Sequence, residues 1–375
     1  MDTLVSVAPC ENYENDVVTH ALKEVLKPLG GLSWVTPGMH VAVKVNLVRR
    51  LAPEKAATTH PALVCALCRM LIARGAEVTV GDSPGGIFMP AYLKSVYTGT
   101  GMLAVEKTGA RLNYDVSQTT AHFPDAKYAK TFDYTGWLAG ADAVISFAKL
   151  KTHGLMAMTG AVKNLFGIIP GTKKPEFHFL YPDTMKFAHM LVDLCEYIRP
   201  TLSIVDAVWG MEGNGPSSGD PRFIGCILAS KNPYACDLAG GRIMGVTEAP
   251  VLRAAYERGL APERAEDLTF AGDLARFCQT DFRLIPMRNV DLFLSRSGHL
   301  DRAFGYLIRR KPKLRPELCI SCGVCMRTCP AHAITLSPKP HFNRRTCICC
   351  FCCQEFCPES AIVVARSPFA KFLSR

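Results

Sequence analysis

Two hydrophobic patterns alternate along the first three quarters of the chain. Short apolar runs, typical of buried strands, occur at Leu4–Ala8, His40–Val45, Glu77–Val80, Ala143–Phe147, Leu202–Val205 and Ile224–Ala229. Between and after them, helical periodicity occurs over Val17–Leu29, Pro61–Arg74, Leu155–Phe166, Thr184–Ile198, Pro233–Met244 and Pro250–Arg258. This alternation predicts an α/β fold in which helices cover both faces of a mostly parallel sheet.

The last part of the chain repeats itself after a basic, proline-broken stretch at 309–313, which is typical of a linker. Each copy carries four cysteines in a Cys-x2-Cys-x2-Cys-x3-Cys-Pro run. The cysteines are Cys319, Cys322, Cys325 and Cys329 in the first copy and Cys347, Cys350, Cys353 and Cys357 in the second. This spacing binds [4Fe–4S] clusters, and the repeat indicates a pseudo-symmetric two-cluster fold.

In such a run, three closely spaced thiolates wrap one cluster and the fourth, directed away by the proline, binds the other. We therefore assign the first cluster to Cys319, Cys322, Cys325 and Cys357, and the second to Cys347, Cys350, Cys353 and Cys329. Structural zinc fits poorly, because zinc sites use two pairs of ligands. Cys349 and Cys352 are interpreted as small apolar residues beside the second cluster, since their use as ligands would break the repeat.

The repeat resembles the bacterial two-[4Fe–4S] ferredoxins, over residues 315–364. The resemblance implies a small α+β dicluster module that relays single electrons. We accordingly predict two domains, an α/β domain over residues 1–308 and a ferredoxin-type module over residues 309–375.

The net charge of +10 belongs entirely to residues 288–375, which hold 15 Lys and Arg against 5 Asp and Glu, whereas residues 1–287 hold 28 of each sign. A basic module offsets the negative charge of iron–sulfur clusters and attracts an acidic redox partner, such as a flavodoxin or a ferredoxin-like protein. An ordinary solvated basic surface explains the charge equally well. A nucleic-acid-binding domain is not predicted, because the large domain is neutral.

No apolar run approaches the length of about 18 residues that a membrane span needs, and the start of the chain lacks the pattern of a signal peptide. Of the 17 cysteines, nine are scattered outside the ligand positions, which favours free thiols in a reducing compartment. A cytoplasmic location is the expectation. Cys65 and Cys68 lie on the apolar face of a predicted helix, where core packing explains them better than redox chemistry.

Polar side chains follow the predicted strands of the large domain at their carboxyl ends, where parallel sheets bind ligands. They are Lys44, Asn46, Asp82, Ser83, Lys149, Lys151, His153, Lys163, Asn164 and Asp206. We predict that Lys151, His153 and Asp82 are catalytic and that the others bind a cofactor or substrate. In an extended strand Lys149, Lys151 and His153 would share one face, and the following helix would direct its dipole to the same place. Singly, each residue is more typical of a protein surface.

Signatures of nucleotide binding are weak here. No Walker-type loop occurs, and Gly99-Thr100-Gly101 has Ala104 where a dinucleotide fingerprint has its third glycine. The glycine-rich stretch at 213–219 is typical of a long loop. The pocket therefore suits a small anionic substrate or a further cofactor of unidentified type.

Five segments of the large domain carry a family resemblance: Val43–Asn46, Gly81–Gly86, Lys149–His153, Val162–Gly167 and Gly213–Pro216. They resemble the family known as domain of unknown function 362, over most of residues 41–229. Many of its members are fused to a C-terminal ferredoxin, and the family has no agreed reaction. A more distant similarity connects the fold with lactate-racemase-like proteins, which use His and Lys around a nickel cofactor, although their catalytic residues have no counterpart that we can place on this sequence.

Two functions follow from these observations. In the first, the protein is an iron–sulfur oxidoreductase: Lys151 and Lys163 neutralise an anionic molecule, His153 or Asp82 handles protons, and the module supplies electrons. In the second, it is a non-enzymatic electron carrier or redox accessory protein whose α/β domain docks a partner. A metal-dependent isomerase of the lactate racemase type is a distant third.

Overall fold

The computed structural model describes residues 2–285 and 310–365. Within these residues no helix is both long and apolar enough to cross a membrane. The predicted domain boundary between residues 308 and 309 lies outside the described residues.

Fifteen strands form in the described residues. In chain order they are β1 (Leu4–Pro9), β2 (His40–Val45), β3 (Glu77–Gly81), β4 (Arg111–Leu112), β5 (Gln118–His122), β6 (Thr131–Thr135), β7 (Ala143–His153), β8 (Ala157–Thr159), β9 (Leu202–Glu212), β10 (Asp220–Ser230), β11 (Thr269–Ala271), β12 (Lys311–Leu314), β13 (Ile334–Leu336), β14 (Pro340–Phe342) and β15 (Ile362–Ala365).

One nine-stranded sheet organises the α/β domain, in the order β11-β1-β10-β9-β7-β2-β3-β4, with β8 paired to β7. The pairs β9–β7, β7–β2, β2–β3, β3–β4 and β1–β11 are parallel, whereas β1–β10, β10–β9 and β7–β8 are antiparallel. The mostly parallel sheet predicted from the sequence is therefore present. Because β2, β3 and β7 are parallel neighbours, their carboxyl ends meet at one edge of the sheet.

Ten α-helices accompany the strands in the described residues. They are α1 (Asn15–Leu26), α2 (Pro61–Ile72), α3 (Pro90–Gly99), α4 (Ala161–Asn164), α5 (Lys174–Leu180), α6 (Thr184–Ile198), α7 (Pro233–Met244), α8 (Pro250–Glu257), α9 (Val324–Arg327) and α10 (Cys352–Glu355).

Apolar side chains on each face of the sheet explain why these helices pack against it. On one face, α1 and α2 join β2 and β3 in a single buried cluster; on the other, α6 and α8 cover the sheet around Ala42 and Val144. A third cluster joins α7 to β9 and β10. Proline at the first turn favours the start of α2, and the His60 ring accepts a hydrogen bond from the amide of Ala62 there.

The sequence placed most of these elements within a few residues, but one predicted helix was wrong. The segment Leu155–Phe166 instead contains β8, the four-residue helix α4 and the start of a 3₁₀ turn at Leu165–Ile168. Its apolar side chains are buried on every side, so periodicity alone could not separate a strand from a helix. Consequently Lys163 does not stand at the start of a long helix, and the dipole argument made for it does not apply.

The C-terminal module keeps the repeat of its sequence in its backbone. Helices α9 and α10 occupy equivalent places in the two copies, and β12–β15 and β13–β14 form two antiparallel pairs. Left-handed backbone recurs at equivalent positions, with φ of 57° at Ser321 and 56° at Cys349. The same is true of His332 and Ser360, at 49° and 53°. The two cysteine loops therefore have the same local conformation.

Candidate functional site

A pocket opens at the carboxyl ends of β2, β3 and β7. The empty space between its walls, including the part open to solvent, is about 620 Å³. Its charged and imidazole side chains are Asp82, Lys151, His153, Lys163, Lys174, His178 and Glu355. We call it the lysine pocket. Three of these side chains, Lys151, Lys163 and Lys174, are lysines, which make the pocket cationic.

A buried ion pair between Lys44 and Asp82 forms the floor of the pocket, and the two charges cancel each other. Lys44 is fully buried, and its Nζ lies 2.7 Å from Oδ1 of Asp82 while also donating to Oδ1 of Asn164 at 3.0 Å. The other carboxylate oxygen of Asp82 accepts from the amide of Leu47 at 2.8 Å. Burial lowers the pKa of Lys44, and the charge of Asp82 opposes that shift. The pair thus contributes little net charge to the pocket.

The three lysines of the walls contact uncharged groups. Lys151 donates to the carbonyl of Ala57 at 2.6 Å and Lys174 donates to the carbonyl of Ser83, whereas Nζ of Lys163 lies 4.8 Å from the ring centroid of Phe166. Throughout the described residues, no carboxylate forms an ion pair with any of the three.

Burial is the largest influence on the pKa of these ammonium groups, and the charge of Glu355, joined by Asp82 for Lys151 and Lys174, opposes it without forming an ion pair. Burial lowers the pKa of Lys151 well below its usual range, and the nearby charge of Lys163 adds to the effect. It also lowers the pKa of Lys163, and that of Lys174 to about 8. An anion in the pocket would stabilise the charged form of all three.

His153 connects the pocket to the ferredoxin module. The amides of Leu155 and Met156 donate to its Nδ1 at 3.0 and 3.2 Å, so the ring proton resides on Nε2. Nε2 lies 3.0 Å from Oε1 of Glu355. Burial, together with the charge of Lys163, lowers the pKa of His153 to about 4, which keeps the imidazole neutral.

Glu355 comes from α10, between two of the ligand cysteines of the second copy. Burial disfavours its charged form, but hydrogen bonding with His153 and the charge of Lys163 hold the pKa of the carboxyl well below its usual range. The equivalent position in the first copy is Arg327. The change from a basic to an acidic side chain at this position of the repeat was the sequence signal that could have identified it.

His178 is a further pocket residue that sequence reasoning missed, along with Lys174. Its ring stacks on Phe187 with centroids 4.4 Å apart, and it is 2% exposed. Burial lowers its pKa to about 3. Its Nδ1 has no hydrogen-bond partner in the described part of the chain, and the same holds for Oδ1 of Asn46 and Oγ1 of Thr159. These three atoms remain available to a ligand.

The other predicted site residues divide between the pocket and its surroundings. Asn46 and Asn164 line it, whereas Ser83 meets it through the backbone carbonyl that holds Lys174. Lys149 and Asp206 are not among the lining residues. They pair with each other at 2.6 Å, and the hydroxyl of Tyr13 lies 3.0 Å from both.

Lys149 has its own partners outside the lining of the pocket. Its side chain reaches Asp206 and the carbonyl of Trp209, both on β9. The pairing of β7 with β9 is irregular here, because the two steps from Lys149 to Lys151 oppose the five steps from Asp206 to Met211, so the extra residues bulge from β9. Burial lowers the pKa of Lys149, while Asp206 opposes the shift. Because the charges of Lys149 and Asp206 cancel, we interpret this pair as a structural contact.

The ferredoxin module packs directly against the pocket. Phe356 lies so close to Gly85 that a Cβ there would overlap its ring. Arg49 donates to the carbonyl of Pro358 at 2.9 Å and to the hydroxyl of Ser360 at 3.2 Å. The side-chain amide of Gln354 donates through Nε2 to the carbonyl of Gly215 at 3.2 Å, so part of the glycine-rich stretch predicted as a loop forms this contact.

The cysteines of the first predicted ligand set surround one cavity. Cys319, Cys322, Cys325 and Cys357 all line it, together with Ile320 and other apolar residues, and its empty space is about 330 Å³. The amide of Ala361 donates to Sγ of Cys357 at 3.2 Å, which is the kind of contact that stabilises a cluster thiolate. These residues fit a [4Fe–4S] cluster.

The second predicted ligand set has matching features. The amide of Ala333 donates to Sγ of Cys329 at 3.2 Å, equivalent to the contact at Cys357. The electrostatic neighbours that raise the pKa of the Cys353 thiol, after burial itself, include Cys350, Cys347 and Cys329. In the described residues no three His, Cys, Asp or Glu side chains converge on a single metal ion, in keeping with the wider spacing of cluster ligands.

Comparisons with known proteins agree with this architecture. The model of the family described as domain of unknown function (DUF362) matches residues 41–242, and that of the 4Fe-4S binding domain matches residues 312–335. A protein of Synechocystis sp. described as thylakoid-associated is 34% identical over 275 residues, which are 71% of this chain and 82% of that protein.

A solved structure is also similar, although more remotely. It is the lactate racemase apoprotein from Thermoanaerobacterium thermosaccharolyticum, with a TM-score of 0.41 and 10% identity. The similarity covers 66% of this chain and 58% of that one.

Proposed function

Because the chain belongs to the DUF362 family, whose description carries no reaction, and ends in a 4Fe-4S binding domain, we propose from its geometry that it is an iron–sulfur oxidoreductase acting on a small anionic molecule in the lysine pocket. The observation that carries this proposal is the contact between His153 and Glu355. It brings a residue from between two cluster ligands into the pocket itself.

Two [4Fe–4S] clusters are part of the proposal. Cys319, Cys322, Cys325 and Cys357 would hold the first, and Cys329, Cys347, Cys350 and Cys353 the second. The support is the equivalence of the two loops in backbone conformation and in amide contacts to Cys329 and Cys357. When bound, each cluster supplies or accepts one electron at a time.

The pocket residues have separate roles. Lys151, Lys163 and Lys174 bind the anion through charge-assisted hydrogen bonds. Neutral His153 holds its proton on Nε2, between the pocket and Glu355. Since the neutral ring would become an imidazolate if it gave up this proton, we assign His153 the role of holding Glu355 at the wall of the pocket. Asp82 instead compensates Lys44, and we assign it a positioning role.

An acidic electron-transfer protein is the proposed partner of the module. Cys322 is exposed, and beside it Leu318, Ile320 and Met326 are 41%, 63% and 38% exposed. Exposed Arg315 and Arg327 lie near this patch in sequence, with one exposed carboxylate, Glu317, between them, so the rim is basic on balance. An apolar centre with a basic rim over a cluster loop suits transient docking of an acidic partner.

The decisive experiment is to purify the protein anaerobically and identify small molecules released on denaturation by mass spectrometry. The dithionite-reduced protein is then mixed with the released fraction, and cluster re-oxidation is followed by visible absorbance. The proposal expects an anionic molecule that re-oxidises the clusters in wild type and in Lys94→Met, an exposed control on α3, but slowly in Lys151→Met.

The alternative is a carrier that docks a partner and transforms nothing. It predicts that no molecule accompanies the protein and that Lys151→Met re-oxidises like wild type. That pair of results would overturn the oxidoreductase proposal.

A further inference from the structure

The charges that face the lysine pocket do not balance. Lys44 and Asp82 cancel at the floor, and the two histidines are neutral. With the three lysines protonated, the state that a bound anion would stabilise, three ammonium groups then remain on the walls, against one carboxylate from the module. The pocket therefore carries two positive charges in excess, at a site whose walls are largely buried.

From this excess we infer that the ligand is a small dianion, such as a dicarboxylate or a phosphate monoester. The inference rests on the proposed function and names the class of molecule on which it acts. Unpaired charges at buried sites are strongly unfavourable, and a ligand of matching charge removes the imbalance without displacing Glu355. A monoanion would leave one ammonium group uncompensated.

The contacts of the three lysines are those expected of a site that binds an anion. Lys151 and Lys174 direct their ammonium groups to single backbone carbonyls, which leaves most of their N–H donors unused. In the part of the chain that the structure describes, the ammonium group of Lys163 forms no hydrogen bond or ion pair and lies over the face of Phe166. A dianion with several acceptor oxygens can use these donors together.

Neutral polar groups in the same walls would orient the ligand. Oγ1 of Thr159 and Nδ1 of His178 are buried without a hydrogen-bond partner in the described residues. Thr159 can donate to a ligand oxygen, and Nδ1 of His178 can accept from a hydroxyl. The ligand therefore combines two negative charges with a polar body, within about 620 Å³ of space that is partly open to solvent.

Charge and shape can be separated with matched probes. Methyl phosphate, fully ionised, and methyl sulfate have nearly the same shape but differ by one charge, as do oxalate and oxamate. Binding is measured by calorimetry with the cluster-loaded full chain. We expect each dianion to bind roughly 10- to 150-fold more tightly than its partner, the contribution of one charge-assisted contact. Comparison of the two pairs distinguishes phosphate esters from dicarboxylates.

Variants that change the charge of the pocket test the same inference independently. Lys151→Met removes one positive charge and should reduce the preference for the dianion, whereas Glu355→Gln adds one and should increase it. Lys94→Met, on the surface, should leave the preference unchanged. Visible absorbance of the clusters and thermal melting identify any variant that has lost its fold.

Equal affinity for both members of each pair, or no binding of any probe to the cluster-loaded protein, would overturn the dianion inference. A different result would contradict the proposed function. Lys151→Met would change the binding of the probes, but no molecule from the pocket would re-oxidise the reduced clusters.

Discussion

Nε2 of His153 lies 3.0 Å from Oε1 of Glu355, so a strand of the α/β domain and a helix of the ferredoxin module share one pair of side chains. His153 ends β7, and Glu355 ends α10. The carboxylate stands between Cys353 and Cys357, which we assign to different clusters. The contact therefore places the second cysteine loop, which carries a predicted ligand of each cluster, beside the wall of the lysine pocket.

Iron and acid-labile sulfide analysis tests the two-cluster proposal. We expect about eight of each per chain in anaerobically reconstituted protein, because a [4Fe–4S] cluster contains four of each. A value near four, or stoichiometric zinc, would contradict it.

Cys350→Ser and Cys349→Ser test the choice of ligands in the second copy. Cys350→Ser should lose iron, and Cys349→Ser should retain it. The reason is that Cys349 matches Ser321 in the first copy, with φ of 56° against 57°. The measurement is again the iron content. Equal loss of iron in both variants would show that the ligand assignment is wrong.

Lys151→Met and Lys163→Met should weaken binding of the pocket anion by about 1.5–3 kcal/mol each, or roughly 10- to 150-fold in affinity. Both ammonium groups lack a carboxylate partner in the described residues, so a ligand is their natural counter-charge. The exposed Lys94→Met should change binding by less than about 0.5 kcal/mol. If all three variants bind the anion with the same affinity, Lys151 and Lys163 do not form the binding site.

Gly85→Ala should loosen the docking of the module. The added Cβ overlaps the ring of Phe356, and overpacking of this kind costs about 1–3 kcal/mol. Hydrogen exchange of the amides in α10 should then accelerate roughly 5- to 150-fold if docking controls their opening. Gly140→Ala is the matched control, because a Cβ there meets nothing within 4 Å. Identical exchange in the two variants would argue against a tight interface.

The stability of the protein should decrease in mild acid through His178. Burial lowers its folded pKa to about 3 from 6.5, with Lys163, His153 and Lys174 adding to the shift and Glu355 opposing it. The unfolded chain therefore binds a proton below pH 6.5 that the folded chain does not, and stability is lost as pH falls from that value towards 3.

Between pH 7 and 5 this loss amounts to about 2 kcal/mol. In His178→Phe, which preserves an aromatic ring against Phe187, the contribution should disappear. Chemical denaturation of both proteins at the two pH values measures it, and acid lability of the clusters is common to both. Parallel pH profiles would show that His178 does not supply the effect.

Electron transfer from an acidic donor protein should slow steeply with salt. Raising ionic strength from ~10 to ~150 mM shortens the Debye length from ~30 to ~8 Å. Ile320→Glu, at a 63% exposed position beside Cys322, should slow the reaction at low salt by placing a negative charge in the proposed docking patch. Stopped-flow measurement with a flavodoxin provides the rates. A salt-independent rate, unaffected at Ile320, would exclude this mode of docking.

The sequence by itself determined the features that depend on neighbours along the chain. The spacing of Cys319, Cys322 and Cys325 defines a cluster loop, because three thiolates a few residues apart can only wrap one face of a cluster. The parallel arrangement of β2, β3 and β7 followed from alternating elements, and with it the meeting of Asp82 and Lys151 at one edge.

Only the tertiary structure decided which charges meet across the chain. Lys149 pairs with Asp206 of β9, beside a bulge in that strand, whereas Lys151 lines the pocket, and the alternation of residues along β7 does not predict this difference. Docking of the module brings Glu355 to His153, and α5 brings in Lys174. Such encounters depend on packing between distant segments, and packing follows the shape of the whole fold, which no local pattern of residues encodes.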